Sequence, residues 1–530
     1  MPKRVRWTTL VHNGVAFPPE YEPKGIKVGL RGDWIVPTPV VEEMLYAWAK
    51  KKDTPYVKDE AFQKNFLESL RPHLPPPYRD ITFSEIDLSE YYKVIEEEKR
   101  AKESMSKEEK KKQAQERKKR REELKAKYGY AVVDGITVEV LNWMVEPPGI
   151  FMGRGNHPLR GRWKERVKPE DVILNLGEGA PIPEGRWGGI VHDHTSMWLA
   201  KWADKINPSK NKYVWLSEAS FLRQQQDYLK YEAAAKLEKK IDRIRAAIKK
   251  MLSSRRKEIR KIATVCYLID ALAMRVGDEK DEDEADTVGA TTLRVEHVNV
   301  NHGSIKFDFL GKDSVRWQKT LDNPDPQLIE NFKEFMQGKK LEDQIFDGIT
   351  SEKVNNFLKK FDKDLTAKVF RTYIATKTVK EFLEQRNGTL KDEEDFVKLY
   401  YAKLANLEAA MKCNHKRTPP KNWEESIRKM EERLAKLLAT PPPKTEKGRL
   451  RLEQRVKKAR LQLELAKAIK EYNLNTSLKN YIDPRVYYRW AKKVGLDWKL
   501  IYPKSLQRKF LWVENKALLN YPSTRVKGNK

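Results

Sequence analysis

Residues 476–485 read TSLKNYIDPR, and the rest of the chain is organised around this stretch. Asp483 followed by Pro484 is typical of a helix start, because Asp caps the first free N–H groups and Pro needs no donor in the first turn. The stretch therefore predicts a helix beginning at Pro484, with Tyr481 in the turn ahead of it. The chain has 21 tyrosines, and any one of them more often packs than reacts. Whether Tyr481 reacts depends on the basic residues upstream of it.

The composition indicates a large basic protein with a polyanionic partner. A chain of 530 residues is long enough for roughly two to four domains. The formal net charge is +29. Because each Lys or Arg that neutralises a phosphate releases condensed counterions, a nucleic acid is the expected partner and an acidic membrane the weaker alternative.

Several functional classes are disfavoured by what the sequence lacks. It has no run of about 18 apolar residues and no basic leader before an apolar segment, so neither a membrane span nor a secretory signal is expected. The two cysteines, Cys266 and Cys413, cannot form a disulfide framework or a CxxC metal site, which fits a reducing, intracellular location. Neither GxxxxGKS/T nor GxGxxG occurs, so we expect neither ATP nor a dinucleotide as cofactor.

The first 220 residues change character twice. Residues 1–90 mix short apolar stretches with proline turns and predict a compact α+β module. Residues 91–127 are helical and highly charged, and they are either a solvated helix or a basic prong near a DNA backbone. Residues 128–220 are rich in β-formers, glycine and tryptophan. Glycines flank Arg154 there, in a turn that could let the backbone approach a ligand closely.

Basic residues further along lie at the ends of predicted elements. Arg275 is predicted in the last turn of a helix over about 256–274, with Gly277 as its C-cap. After a strand predicted over 293–300, alternating apolar residues predict a hairpin with Lys312 at its tip. Taken singly, Arg275 also fits the role of an ordinary cation at a helix end, and Lys312 that of an ordinary solvated lysine.

Three more basic residues lie in predicted helices or just after one. Lys368 and Arg371 are spaced i,i+3 and therefore share one helix face. A later helix is predicted over about 393–412, and His415 lies just beyond its end. Pro419 and Pro420 prevent the helix from continuing.

Residues 279–286 are mostly acidic. A Ca²⁺-binding loop requires glycine at its sixth position, and this segment does not match that spacing. We therefore expect a solvated loop rather than a metal site.

The clearest local prediction is a helical hairpin over residues 421–472. Apolar residues step by 4,3,4,3 from Trp423 to Leu437 and again from Leu452 to Ala466. Residues 440–444, TPPPK, separate the two seams. Two narrow seams joined by a proline break predict an antiparallel coiled coil.

Five segments together resemble the eukaryotic-type DNA topoisomerases of class IB. They are LAMRVG at 272–277, FLGKDS at 309–314, AKVFRTY at 367–373, CNH at 413–415 and NYIDPR at 480–485. PGIFMGRGNHP at 148–158 and MSKEEK at 105–110 also match, and the resemblance covers nearly the whole chain from about residue 6. Several separate motifs in the same order distinguish this resemblance from chance similarity.

The resemblance implies an α+β, helix-dominated multidomain fold. The implied molecule is a bilobed DNA clamp with a tyrosine-recombinase-like catalytic domain and an antiparallel coiled-coil linker. The implied domains are a cap lobe over 1–221 that includes the prong at 91–127, a catalytic core over 222–420, the linker over 421–470 and a C-terminal domain over 471–530. The implied partner is double-stranded DNA, bound by a monomer without cofactor or metal.

The resemblance also assigns roles to five residues. Arg275, Arg371 and His415 would hold the non-bridging oxygens of the scissile phosphate, which gain negative charge during in-line attack. Tyr481 would be the nucleophile that forms a 3′-phosphotyrosyl intermediate, and Lys312 the general acid for the leaving 5′-hydroxyl. The implied activity is ATP-independent relaxation of positive and negative supercoils by cleavage, strand rotation and religation.

Further residues match positions that contact DNA in the family. Arg154 and Lys312 match residues that reach the minor groove beside the cleavage site, and Lys368 precedes Arg371 on its helix face. The positions near the DNA backbone or the scissile phosphate are His157, Lys164, Lys280, Thr287, Asp313 and Asn480.

Three features depart from the family pattern. The long charged N-terminal extension common in nuclear members is absent, the linker is short, and Met152 stands where members often have a second arginine. The missing extension and the Lys/Glu/Arg-rich composition favour an archaeal member. We therefore expect a chromosome-associated protein of an archaeal cytoplasm or nucleoid, with the nucleus as the alternative.

Two other functions are kept as alternatives. A tyrosine recombinase uses a similar Arg-Lys-Arg-His-Tyr set, but it usually shows His-x-x-Arg where this chain has Lys368 before Arg371. Recombinases also lack a coiled coil between the last histidine and the tyrosine, positions 415 and 481 here. A non-enzymatic architectural DNA-binding protein would explain the net charge but not the five ordered motifs.

Overall fold

The computed structural model describes residues 5–278 and 286–519. Contacts within the chain divide these residues into two compact units, one over 5–223 and one over 224–278 with 286–519. Helices dominate, and each unit also contains a β-sheet, so the predicted helix-rich α+β multidomain fold is confirmed. The domain boundaries placed at 221, 420 and 470 stay a prediction.

The first unit packs helices and short strands around two apolar cores. Its helices in the described residues are α1 (Pro39–Ala49), α2 (Glu60–Leu70), α3 (Ser89–Ser104) and α4 (Lys107–Tyr128). Its strands there are β1 (Leu10–His12), β2 (Val28–Leu30), β3 (Asp33–Ile35), β4 (Ile86–Asp87), β5 (Tyr130–Val133), β6 (Ile136–Glu139), β7 (Gly149–Ile150), β8 (Trp163–Lys164), β9 (Ile173–Asn175), β10 (Gly189–Val191), β11 (Trp198–Ala203) and β12 (Asn211–Trp215).

These strands form small sheets. β1, β5 and β6 are antiparallel in that order, and so are β3, β2 and β4. The largest sheet has the order β10-β9-β11-β12, with the β10–β9 pair parallel and the others antiparallel. β7 and β8 form a two-stranded ribbon, which ends beside the loop that carries Arg154.

The charged segment predicted as helical over 91–127 is two helices rather than one. Met105 has an extended backbone with ψ 135°, which ends α3. Ser106 then caps α4 in a reciprocal capping box, in which its side chain accepts from the backbone N–H of Glu109 and the Glu109 carboxylate accepts from the N–H of Ser106. None of the α4 side chains is buried.

The second unit is helical apart from one antiparallel sheet, β13-β14-β15. The strands are β13 (Val298–Val300), β14 (Ser304–Gly311) and β15 (Val315–Asp322). Its helices in the described residues are α5 (Phe221–Leu252), which begins just before the unit, α6 (Lys257–Leu272), α7 (Pro326–Met336), α8 (Ser351–Lys359), α9 (Ala367–Glu384), α10 (Asn387–Leu390), α11 (Asp395–Lys412), α12 (Trp423–Leu438), α13 (Glu446–Ala468), α14 (Leu474–Asn480), α15 (Pro484–Val494) and α16 (Lys504–Lys509).

Two elements of this unit are shorter than predicted. The strand expected over 293–300 is confined to β13, because a 3₁₀ turn over Val295–His297 precedes it. The helix expected over 256–274 ends at Leu272, where Ala273 takes a left-handed conformation with φ 52°. The acidic loop expected over 279–286 lies outside the described residues except for Asp286.

α12 and α13 pack against each other and run antiparallel. Glu431 on α12 forms a 2.7 Å ion pair with Lys467 near the far end of α13. At the proline turn, Leu437 lies close to Leu452 and Val456. No helix in the described ranges is long and apolar enough to cross a bilayer.

Candidate active site around Tyr481

Tyr481 lies in the short connection between α14 and α15. Its backbone N–H and that of Ile482 both donate to the carbonyl of Ser477, which ends α14. The Asp483 side chain accepts from the N–H of Arg485, and Pro484 occupies the first helical turn of α15. The predicted helix start is therefore confirmed, and Tyr481 itself is buried, with 6% of its surface exposed.

The backbone around Tyr481 is also fixed from α9. The hydroxyl of Thr376 donates to the Tyr481 carbonyl at 3.1 Å and accepts from the Asp483 N–H at 3.0 Å. One hydroxyl therefore spans both sides of the turn. Thr376 was not among the predicted site residues, since no sequence pattern distinguishes it from any other threonine in a helix.

Arg275 reaches the phenol from the segment after α6. Its Nη1 donates to the Tyr481 hydroxyl oxygen at 3.2 Å. The predicted position in the last helical turn is wrong, because the helix has already ended at Leu272. The Arg275 carbonyl instead accepts from the N–H of Ala290 at 2.8 Å.

Gly277 is not a C-cap but part of a close backbone crossing. A Cβ on Gly289 would lie 2.4 Å from the Cα of Gly277, so only glycine fits there. This crossing, together with the Ala290 hydrogen bond, fixes the backbone that carries Arg275.

Arg371 lies in the second turn of α9 and is 3% exposed. Its Nη1 donates to the carbonyl of Ala273, and its Nη2 donates to the carbonyl of Cys413 at 2.8 Å. Its guanidinium carbon lies 5.1 Å from the centroid of the Tyr481 ring. Because the carbonyl partners are neutral, the arginine is held firmly and its positive charge is not cancelled.

His415 follows α11 and stacks on Tyr481, with ring centroids 5.1 Å apart. Its Nε2 lies 3.2 Å from Nη2 of Arg371, and since arginine only donates, Nε2 accepts and Nδ1 carries the proton. Burial and the charges of Arg371 and Arg275 lower the pKa of His415 to about 3. The imidazole is therefore neutral near pH 7 and still holds one N–H donor.

Two buried donors at this cluster have no hydrogen-bond acceptor among the described residues. They are Nδ1 of His415 and Nε of Arg371. Buried polar groups are normally paired, so donors of this kind indicate a place where an acceptor from a ligand fits.

The cations also change the acidity of the phenol. Burial alone raises the pKa of Tyr481, but the charges and hydrogen bonds of Arg371 and Arg275 lower it by more, and the net pKa is below the ordinary value. The phenolate is the better nucleophile, so this environment favours attack by Tyr481. The polar and ring contacts described for its side chain are with Arg275, Arg371 and His415.

Lys312 is not in contact with these four residues in the part of the chain that the structure describes. It begins the 3₁₀ turn Lys312–Ser314 between β14 and β15, with an exposed side chain, as predicted for a hairpin tip. Asp313 lies in the same turn. Thr287 precedes Val288, whose N–H donates to the carbonyl of Leu310 at 2.8 Å beside the end of β14.

The other predicted DNA contacts lie in both units. Lys368 is exposed in the first turn of α9, and Asn480 is exposed at the end of α14, where its Nδ2 donates to the carbonyl of Thr476 at 3.2 Å. Lys280 lies outside the described residues.

In the first unit, the three predicted contacts lie on or near the β7–β8 ribbon. Arg154 is exposed between Gly153 and Gly155, which both have positive φ. The ring of His157 packs edge-on against Phe151, and Lys164 donates to Glu146 at 3.3 Å.

Comparison with known proteins gives the family. The model described as eukaryotic DNA topoisomerase I, DNA binding fragment, matches residues 5–216. The catalytic core of eukaryotic DNA topoisomerase I matches residues 219–441, and a C-terminal topoisomerase domain matches 453–521. Human DNA topoisomerase 1 is 34% identical over an alignment of 563 positions, which covers 98% of this chain and 72% of the human protein. The chain belongs to the eukaryotic DNA topoisomerase I family.

Two further relatives extend the comparison. DNA topoisomerase 1 alpha of Arabidopsis thaliana is 39% identical over 96% of this chain, and DNA topoisomerase 1 of Drosophila melanogaster is 36% identical over 98%. The chain spans 58% of the length of the plant relative and 55% of the length of the fly relative. All three of these relatives are from plants or animals, so the expected archaeal origin finds no support.

Within this topoisomerase I family member, the matched regions divide the site. Arg275, Lys312, Arg371 and His415 lie in the region matching the catalytic core, and Tyr481 in the region matching the C-terminal domain. Folding therefore brings together, in the second unit, residues from two regions of the sequence that are matched separately.

Besides Thr376, Lys319 lies near the cluster and was not among the predicted site residues. Lys319 on β15 donates to the carbonyls of Leu272 and Lys412, and burial lowers its pKa to about 8. A signal for it was available. The alternation of β15 places Lys319 on the same face as Trp317 and Leu321, where a lysine is out of pattern.

Proposed function

We propose that this chain is a type IB DNA topoisomerase that relaxes positively and negatively supercoiled double-stranded DNA. The observation that carries the proposal is the Tyr481 phenol placed against Arg275, Arg371 and His415, within a chain of the topoisomerase I family. One buried and one partly buried arginine beside a phenol suit the transfer of a phosphoryl group from one oxygen to another, because they favour the phenolate and the charged transition state together.

In the proposed mechanism, Tyr481 loses its phenol proton to water, and the phenolate oxygen attacks the scissile phosphorus in line. A bond forms between this oxygen and phosphorus, and the bond from phosphorus to the 5′ oxygen breaks, which leaves a 3′-phosphotyrosyl link. Arg275, Arg371 and His415 donate to the non-bridging oxygens as their charge increases, and Lys312 gives a proton to the leaving 5′ oxygen. Religation is the reverse. Because each step exchanges one phosphoester for another, the cycle needs no ATP.

The DNA contacts are part of the same proposal. Arg154 and Lys312 are assigned to the minor groove, Lys368 to the DNA face of α9, and the backbone or scissile-phosphate contacts to His157, Lys164, Lys280, Thr287, Asp313 and Asn480. The exposure of Arg154, Lys368 and Asn480 supports this assignment. The proposed protein is a monomer associated with chromosomal DNA.

The proposed architecture follows the family. Residues 1–221 form one lobe of a DNA clamp, and residues 222–420 with 471–530 form the other. Residues 421–470, with the packed helices α12 and α13, form a coiled-coil linker whose positive charge slows rotation of the cleaved strand.

The decisive experiment incubates the chain with negatively supercoiled plasmid in EDTA, without nucleotide, beside the Tyr481→Phe variant. We expect a ladder of relaxed topoisomers from the unsubstituted chain alone, and equal DNA binding by both proteins. Relaxation by both would show that Tyr481 is the wrong tyrosine. DNA binding without relaxation by either would favour an architectural protein, and recombined products would favour a recombinase.

A further inference from the structure

Lys319 occupies a position where a lysine is unusual. It lies on β15 with its side chain on the inward face of the sheet, directly paired with Phe307 of the core. Its ammonium donates to the carbonyl of Leu272 at 3.1 Å and to the carbonyl of Lys412. These carbonyls end α6 and α11, and free carbonyls at a helix C-terminus attract a cation.

The same two helix ends are also joined by Arg371. Its two terminal nitrogens donate to the carbonyls of Ala273 and Cys413. Ala273 directly follows Leu272, and Cys413 directly follows Lys412. Each carbonyl bound by Arg371 is therefore next in sequence to a carbonyl bound by Lys319. Two cations, from β15 and from α9, therefore cross-link α6 and α11 at consecutive carbonyls.

The chain that leaves these two ends carries the site. Arg275 follows Ala273 by two residues, and His415 follows Cys413 by two. Ala273 and Asn414 both have a left-handed backbone, with φ 52° in each. Non-glycine residues adopt this conformation at an energetic cost, so external contacts are needed to hold the two exits in place.

We propose that Lys319 is a positioning residue, which holds the ends of α6 and α11 at the separation where Arg275, Arg371 and His415 surround Tyr481. The inference rests on the proposed function. Lys319 acts through the two carbonyls and does not touch the reacting atoms. Burial lowers its pKa to about 8, as expected for an ammonium that has exchanged water for two neutral acceptors.

The test measures single-turnover cleavage of a duplex oligonucleotide from which the short strand that ends in the new 5′-hydroxyl escapes, so that religation cannot occur. Lys319→Met removes both hydrogen bonds, Lys319→Arg keeps a cation and two donors, and Lys306→Met removes an exposed lysine from the neighbouring strand β14. We expect Lys319→Met to lower the cleavage rate about tenfold, because small displacements of site groups cost large factors in rate. Lys319→Arg should recover most of that rate, and Lys306→Met should not change it.

Two further measurements separate positioning from other roles. The Kd for an uncleavable duplex should be nearly the same for Lys319→Met and Lys306→Met, and the thermal midpoint of Lys319→Met, although lowered by the loss of two hydrogen bonds, should stay above the assay temperature. With sulfur in place of the scissile 5′ oxygen, departure needs no proton from Lys312, and the defect should persist because it arises in the geometry of the arginines and histidine. A defect that disappears with this substrate would mean that Lys319 acts through the hairpin tip, and the proposal would be wrong.

The remaining outcomes are also decisive. Equal cleavage by Lys319→Met and the unsubstituted chain would overturn the positioning role and leave the proposed function intact. No cleavage by the unsubstituted chain, on plasmid or on oligonucleotide, would overturn both.

Discussion

Two basic regions of this molecule use positive charge in opposite ways. Every side chain of α4 in the first unit is at least partly exposed, and its lysines and arginines meet water over the whole length of the helix. Arg371 in the second unit is 3% exposed and bound to two backbone carbonyls. A solvated cation is screened by water and salt and adds to the overall attraction for a polyanion, whereas a buried one is screened little and acts strongly on a neighbour at fixed distance. The first kind of charge suits binding and the second suits chemistry.

The partner of an arginine inside the fold decides whether its charge stays available. Arg485, four residues after Tyr481, is bound by the carboxylates of Asp483 and Glu232, which cancel its charge. Arg371 is bound by carbonyls and lies near the neutral imidazole of His415. The net positive field therefore falls on Tyr481 and on whatever anion meets it. The predictions below test this division, beginning with the largest effect.

Replacing Arg371 should have the largest effect on chemistry. Lysine keeps the charge but cannot span both carbonyls with a planar fork, and alanine removes the charge as well. We expect single-turnover cleavage to fall about 10²- to 10³-fold for Arg371→Ala and by a smaller factor for Arg371→Lys. The control is Arg245→Lys, since Arg245 makes a two-pronged ion pair with Asp270 away from the cluster. Equal losses for Arg245→Lys and Arg371→Lys would contradict a special role for Arg371.

His415 should act as a neutral donor. Its pKa is about 3, so it does not gain a proton until well below pH 5. Glutamine is also a neutral donor, and we expect His415→Gln to lower the second-order rate of cleavage about 100-fold. The ratio between the cleavage rates of the unsubstituted chain and of His415→Gln should stay constant between about pH 5.5 and 8.5. Second-order rates are the right measure, because they report the free enzyme. A ratio that changes with a midpoint near pH 6.5 would show that the imidazolium is the active form.

The lowered pKa of His415 also makes the stability of the fold depend on pH. The unfolded chain binds a proton at the ordinary histidine pKa of 6.5, whereas the folded chain binds it only near 3. Between these values the unfolded state holds more protons at this residue, so the free energy of unfolding falls as the pH decreases from 6.5 towards 3. His415→Gln removes this contribution, and its stability should depend less steeply on pH in that window.

Local rules predicted the elements better than they predicted the contacts. The start of α15 follows from Asp483 and Pro484 alone, because capping involves only neighbouring residues. The end of α6 does not. It depends on Ala273 adopting a left-handed conformation whose carbonyl is bound by Arg371, nearly a hundred positions away. The resemblance placed Arg275 and Arg371 in one site, but only the fold shows what holds them there.

Lys319 and Thr376 show the limit of sequence reasoning more sharply. Both act through backbone carbonyls, and a carbonyl belongs to every residue, so no residue type marks the partner. The alternation of β15 could have flagged Lys319 as out of pattern. Nothing comparable marks Thr376, because its two hydrogen bonds join α9 to a turn that follows it by more than a hundred residues.

Thr376→Val should have a moderate effect. Valine keeps the shape but leaves the carbonyl of Tyr481 and the N–H of Asp483 without their shared partner. An unpaired buried polar group costs about 1–3 kcal/mol, and part of that cost should appear as a cleavage rate lowered several-fold. Thr376→Ser keeps the hydroxyl and should cleave at nearly the unsubstituted rate. If Thr376→Val loses stability but keeps its cleavage rate, the hydroxyl supports the fold alone.

Removing the linker should change religation more than cleavage. Within the second unit, residues 424–470 contact their neighbours through partly exposed pairs such as Lys457–Glu393 at 2.7 Å, which contribute under about 1 kcal/mol each, and through Leu461, which packs against the apolar core. We expect a deletion of 424–470 to leave single-turnover cleavage unchanged and to alter the religation rate about threefold. Lys457→Gln, which breaks one ion pair but keeps both helices, serves as the comparison. Unchanged religation after the deletion would remove the proposed role of the linker.

Neutralising α4 should leave the chemistry untouched and change only the salt dependence of binding. The variant carries glutamine at Arg117, Lys119, Arg120 and Arg121, which are all exposed. For every phosphate that the variant no longer neutralises, the slope of log K against log salt should decrease in magnitude by about 0.9. At low salt and saturating protein, the cleavage rate should equal that of the unsubstituted chain.

The control for α4 removes the same charge elsewhere, with glutamine at four exposed lysines of the second unit: Lys306, Lys340, Lys359 and Lys363. If α4 lies along the DNA backbone, the slope should decrease more for its variant than for this control, because counterions are released only where phosphates are met. If the slope decreases equally for both variants, only the net charge of the protein matters. A fall in the saturated cleavage rate for the α4 variant would instead contradict the division between solvated and buried charge, since an exposed helix would then be taking part in the chemical step.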